Sequence, residues 1–130
     1  MKLLGASITY HGVVMGQIKI DLFCKSNVFI LPTYYKMEGQ PISILEAMAT
    51  GNIVVTTNFS GIPDIISEKN GFFILPKNPK SILNVLVDIH NNLNTYIDRF
   101  SRENIEYVSS NFTESQFASK VLNVIKSTVK

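Results

Sequence analysis

Glu38 and Glu46 stand at the two ends of the stretch Glu38-Gly39-Gln40-Pro41-Ile42-Ser43-Ile44-Leu45-Glu46, a setting in which acids suit the recognition of hydroxyl-rich ligands. A carboxylate presents two acceptor oxygens, which match a pair of neighbouring sugar hydroxyls. Gly39 lets a ligand come close to the backbone, and Pro41 stiffens the chain beside it. A helix beginning after Pro41 would offer N–H groups without intrahelical partners and a partial positive charge of about half a unit, which favours phosphate. Hydroxyl acceptors beside an anion-binding helix start describe a site for a sugar joined to a diphosphate. Taken singly, each acid is more simply read as a solvated loop or helix residue; the ligand reading rests on the combination.

Positioning these groups requires a buried strand before the acidic turn and a helix after it. Short β-rich runs at residues 7–11, 28–31, 53–57 and 72–75 alternate with helical stretches, which predicts an α/β fold with parallel strands and helical crossovers. Runs 28–31 and 53–57 are apolar on both faces and are expected to lie centrally. Residues 16–25 predict an amphipathic helix with Ile18 and Leu22 on one face. A helix over 42–50 has Pro41 in its first turn and Gly51 as the left-handed residue that ends it. A short helix over 62–67 follows the turn 58–61, where Gly61 and Pro63 either form a plain turn or shape the ligand-side loop.

The carboxyl third reads as helical. Asn78 caps a helix that buries Ile82, Leu86, Ile89 and Leu93; a second spans 95–109 through Ile97, Phe100 and Val108. Thr113-Glu114-Ser115-Gln116 is a capping box opening a third, expected to bury Phe117, Val121, Val124 and Ile125.

The 130 residues, 45% apolar, suffice for one core and one domain spanning 1–130. A net charge of +2 from scattered Lys and Arg argues against nucleic acid as a partner. The single cysteine, Cys24, fits a reduced cytoplasmic compartment better than a disulfide scaffold, and it is a poor nucleophile candidate. The run Met1-Lys2-Leu3-Leu4-Gly5 is too short for a signal peptide, and no segment approaches the length of a membrane span. Lys120, Lys126 and Lys130 leave peripheral contact with an acidic membrane as a lesser alternative to a solvated helix face. His90 reads as structural and His11 more simply as structural than as a ligand contact; Tyr34 and Tyr35 read more simply as packing beneath the acidic loop than as a surface for stacking on sugar or lining a domain cleft.

The segment Pro32-Thr33-Tyr34-Tyr35, followed by Glu38-Gly39-Gln40-Pro41-Ile42-Ser43-Ile44-Leu45-Glu46-Ala47-Met48-Ala49-Thr50-Gly51, resembles the signature of retaining glycosyltransferase family 4. Further matches are Tyr10-His11-Gly12-Val13-Val14, Ser60-Gly61-Ile62-Pro63-Asp64 and Asn70-Gly71-Phe72, so the similarity covers nearly the whole chain.

The resemblance implies the carboxyl-terminal, donor-binding half of the two-domain GT-B architecture: a Rossmann-like parallel sheet with flanking helices, here expected to lack its first strand and helix and the amino-terminal acceptor domain. It implies that Glu38, the catalytic candidate, contacts hydroxyls of the donor sugar. Backbone around Gly39, Gln40, Pro41, Ser43 and Ile44 would hold sugar and diphosphate, Glu46 the ribose, and Gly12, Val13 and Val14 the base. It further implies a nucleotide-sugar donor, with UDP the expected nucleotide, a polysaccharide or O-antigen type acceptor carried on lipid, and no metal or other cofactor. On this reading the isolated chain is expected to be inactive, and either to self-associate through an exposed sheet edge or to be only marginally stable. A non-catalytic sugar-nucleotide-binding or assembly module is the alternative from another class; a nucleotide-sugar epimerase is a third reading, which the Glu38 and Glu46 pair disfavours.

Overall fold

The computed structural model describes residues 8–128; Ser7, the run 1–5 and Lys130 lie outside them. Among the described residues, strands β1 (Val28–Leu31), β2 (Ile53–Thr57) and β3 (Gly71–Ile74) form one parallel sheet in that order. Ile30 lies beside Val55, and Val55 beside Phe72. Helix α1 (Gly16–Lys25) precedes β1, α2 (Ile42–Ala49) joins β1 to β2, and a 3-10 turn (Ile62–Asp64) lies between β2 and β3. Helices α3 (Pro79–Asn91), α4 (Leu93–Asn111) and α5 (Glu114–Thr128) follow. The fold is α/β, as the alternation of runs predicts, and Rossmann-like, as the resemblance implies.

Side chains alternate across the sheet and feed two apolar layers. Phe29, Leu31, Val54 and Phe73 pack with Ile44, Ala47 and Met48 of α2 and with Ile62, Ile65 and Ile66. Val28, Ile30, Ile53, Val55, Phe72 and Ile74 face Ile89 of α3 and Phe100 of α4. Helix α4 bears on both layers: Tyr96, Ile97 and Phe100 on the second, Tyr107 and Val108 on the first. Between those groups the fully buried Asn104 donates to Asn52 O at 3.0 Å and Asn70 O at 2.9 Å, and accepts from Asn70 Nδ2 at 3.3 Å. This one amide closes the amino ends of β2 and β3 in a place water does not reach.

β2 is buried at all five positions, as a strand covered on both faces must be. β1 is only half-buried and lies at an edge, contrary to the central place expected for 28–31. The reason is next to it: residues 8–11 are irregular, so the expected strand over 7–11 does not form in its described part, and β1 has no outer neighbour among the described residues.

Pro41 sits at the cap position of α2, with extended backbone (φ −64°, ψ 108°), one residue before the expected first turn. Gly51 takes the left-handed conformation, φ +78°, and its N–H donates to Met48 O at 3.0 Å. Asn78 caps α3 by accepting from Ser81 N at 3.1 Å, as the sequence predicts. Leu93 opens α4 instead of closing α3, β3 runs one residue earlier than 72–75, and the segment 62–67 yields only the 3-10 turn.

The largest departure concerns burial. Phe117 is 70% and Val124 62% exposed, and Val121 and Ile125 are exposed as well, although Thr113 does cap α5 by accepting from Gln116 N. Ile18 of α1 is exposed too. Helical periodicity identifies an apolar face; it does not show whether another element covers that face.

Candidate functional site

The carboxyl ends of parallel strands gather loops over free backbone groups, and here the loop after β1 carries Glu38. Two buried threonines of β2 fasten its root. Thr56 Oγ1 donates to Leu31 O at 2.9 Å, and Thr57 Oγ1 donates to Thr33 O at 2.6 Å. Thr33 Oγ1 accepts from Tyr35 N at 3.2 Å and donates to Glu38 Oε2 at 3.1 Å. Glu38 N donates to Tyr35 O at 3.0 Å, which closes the turn.

The second loop at this end, after β2, supports the first. Gly61 N donates to Glu38 O at 3.4 Å, and a methyl group placed on Gly61 would stand 2.5 Å from Gly39 O. Gly61 is therefore more than a turn former: only hydrogen fits between the two loops. Gly39, Gln40 and Ile42 are exposed, so the start of α2 is open to a ligand. The N–H groups of Ile42 and Ser43 precede the first intrahelical bond of α2, which runs from Ile44 N to Pro41 O.

The residues singled out in the sequence divide accordingly. Glu38, Gly39, Gln40 and Ser43 lie around the open helix start. Pro41 is buried and stiffens the turn, with its carbonyl accepting from Ile44 N at 3.0 Å. Ile44 consequently drops out as a backbone donor to ligand: its N–H is engaged and its side chain is fully in the core.

Glu46, one turn into α2, points towards α1, where Lys19 Nζ meets its Oε1 at 2.6 Å. Both side chains are about one-third exposed, at 37% and 34%, and the bond to Lys19 engages only Oε1 of the carboxylate. Val14 shares with Lys19 a cavity of about 240 Å³ between α1 and β1, whereas Gly12, with φ +66°, and Val13 are exposed. The structure thus brings Val14, Lys19 and Glu46 to one side of α2, with Glu38 held at its start.

Lys19 is a residue that sequence reasoning missed as part of the site, because the pair spans 27 positions and no local pattern announces it. Lys77 is another. It follows β3 in left-handed backbone, φ +56°, and its ammonium lies 4.8 Å from the ring centre of the exposed Tyr34. An open groove of about 500 Å³ runs along Thr33, Tyr34, Tyr35 and Lys36 beside the acidic turn. Tyr34 and Tyr35 line it and are exposed, in place of packing beneath the loop.

Residues 2–92 match the family described as Glycosyl transferases group 1. An uncharacterized glycosyltransferase of Methanocaldococcus jannaschii is 38% identical over 76 residues, 58% of this chain and 19% of that protein. The N,N'-diacetylbacillosaminyl-diphospho-undecaprenol alpha-1,3-N-acetylgalactosaminyltransferase of Campylobacter jejuni is 34% identical over 64 residues, 48% of this chain and 16% of that protein. Among solved structures, sucrose-phosphate synthase from Thermosynechococcus elongatus superimposes with a TM-score of 0.68 at 21% identity, over 82% of this chain and 26% of that one. That likeness concerns the fold. The chain therefore spans about a fifth of the length of the curated relatives it matches, or less.

Proposed function

The chain belongs to the glycosyl transferases group 1 family, and from that premise we propose that it forms the donor site of a retaining enzyme that uses a nucleotide diphosphate sugar. The observation that carries this reading is the acidic turn set directly before the open start of α2, at the carboxyl end of β1. Glu38 reads hydroxyls of the hexose, and the N–H groups of Gly39, Gln40 and Ser43 take the diphosphate. Glu46 reads the ribose, and the segment from Gly12 to Val14 borders the base.

In the reaction the bond between the anomeric carbon and the diphosphate oxygen breaks, and a bond to an acceptor hydroxyl forms with retained configuration. The acceptor loses its proton and the nucleoside diphosphate departs. The helix start faces the charge that develops on this leaving group, and it does so without reorganising, which is where such stabilisation is largest. On this reading the helix dipole meets that charge without a resident metal. UDP is the proposed nucleotide. The acceptor is lipid-linked, which the Campylobacter jejuni relative, named for a diphospho-undecaprenol compound, supports, and the product is a surface polysaccharide. A further domain presents the acceptor at the cytoplasmic side.

Calorimetric titration of the chain with UDP and with GDP, repeated on Glu46→Ala, tests the assignment. Heat with UDP that weakens on removal of the carboxylate supports it; equal or absent heats throughout overturn the nucleotide assignment.

A further inference from the structure

The hydrogen bonds around Thr33 do more than close a loop. A hydroxyl has one proton to give, and Tyr35 N–H already points at Thr33 Oγ1 from 3.2 Å, so the remaining direction for that proton is Glu38 Oε2 at 3.1 Å. The backbone of Thr33 is itself held, through its carbonyl, by the hydroxyl of fully buried Thr57 in the central strand. The carboxylate of Glu38 is thereby tied at one oxygen to the rigid sheet, and its other oxygen is left for a ligand. On a side chain with three rotatable bonds, that tie removes freedom which a sugar would otherwise have to remove on binding.

We propose that Thr33 is a positioning residue whose hydroxyl fixes the carboxylate of Glu38 for the hexose of the donor. The inference rests on the donor-site reading and deepens it, because it separates recognition of the hexose from that of the nucleotide. Thr33 touches neither sugar nor nucleotide and acts only through Glu38. The anchor from Thr57 falls on a backbone carbonyl and survives any substitution at position 33, so the fold should hold.

The test is the ratio of the dissociation constants for UDP-glucose and UDP, measured by calorimetry on the 130-residue chain and its variants, each checked for an unchanged melting midpoint. Thr33→Val keeps the shape and loses the proton; Thr33→Ala serves if valine disturbs the fold. Loss of the hydroxyl should shift the ratio against UDP-glucose by roughly tenfold, with UDP itself little affected, as removal of one hydrogen bond to a charged group would. Thr33→Ser should restore the ratio to within about threefold of the parent, since the donor returns without the methyl group. If Thr33→Val and Thr33→Ala weaken UDP and UDP-glucose equally, or neither, while Glu38→Gln does shift the ratio, the positioning role is overturned and the donor site stands. If Glu38→Gln leaves the ratio unchanged, or the parent chain binds neither ligand, the donor-site reading itself is overturned.

Discussion

At the amino ends of β2 and β3 a single side-chain amide, that of Asn104, bonds two backbone carbonyls and a second amide out of reach of water. At the carboxyl ends Thr57 and Thr33 do related work, yet their chain of bonds finishes on a half-buried carboxylate. Both ends use short polar side chains to hold backbone that the sheet leaves unpaired. They differ in where the last bond goes. A network closed on itself contributes only to stability, whereas one that ends at an accessible acid also sets the direction of a group that can meet a ligand.

The sharpest way to break this contrast is at Asn104. Its replacement by leucine strands buried partners and should cost about 3–5 kcal/mol in denaturant unfolding, while folded protein keeps its affinity for UDP. Next in size is Gly61→Ala. The added methyl group would meet Gly39 O at 2.5 Å, so the acidic turn must shift. Donor affinity should drop roughly tenfold by calorimetry, with a stability cost of about 1–2 kcal/mol.

Glu46→Ala should show the reverse balance to Asn104→Leu. The pair with Lys19 is about one-third exposed, so stability should change by less than about 1 kcal/mol, while UDP binding weakens by roughly tenfold.

The smallest effect is expected away from both ends, at Tyr96, whose hydroxyl donates to Asp88 Oδ2 at 2.7 Å. That bond, with a smaller contribution from desolvation, raises the tyrosine pKa above its usual value. The stabilisation is then complete below the ordinary tyrosine pKa and is lost as pH rises through the raised one. Tyr96→Phe should lower the melting midpoint slightly at neutral pH, and the gap to the parent should vanish in strong alkali.

What the sequence made legible follows the same division. Strand 53–57, the helix between Pro41 and Gly51, and the acidic turn are local patterns, since apolar runs, a proline and a left-handed glycine act on neighbouring residues. Asn104 was silent, because a polar residue inside an amphipathic helix looks solvated until the strands it joins are placed. The Lys19 to Glu46 pair and the tie from Thr57 to Thr33 were hidden for the same reason: their partners lie 27 and 24 positions apart. In α5 the pattern gave the helix and its cap correctly and its burial wrongly, since a face is a property of one element and a cover is a property of two.

Helix α4 has a consequence for how the molecule comes apart. A single rod lies against both apolar layers, with Phe100 on one and Val108 on the other, and it also plugs the strand ends between them. Neither layer can open without loosening the rod, and a loosened rod exposes the other. Melting of the sheet and of α2 should therefore share one sigmoid, and the slowest-exchanging amides of β2 and α2 should report a common opening free energy.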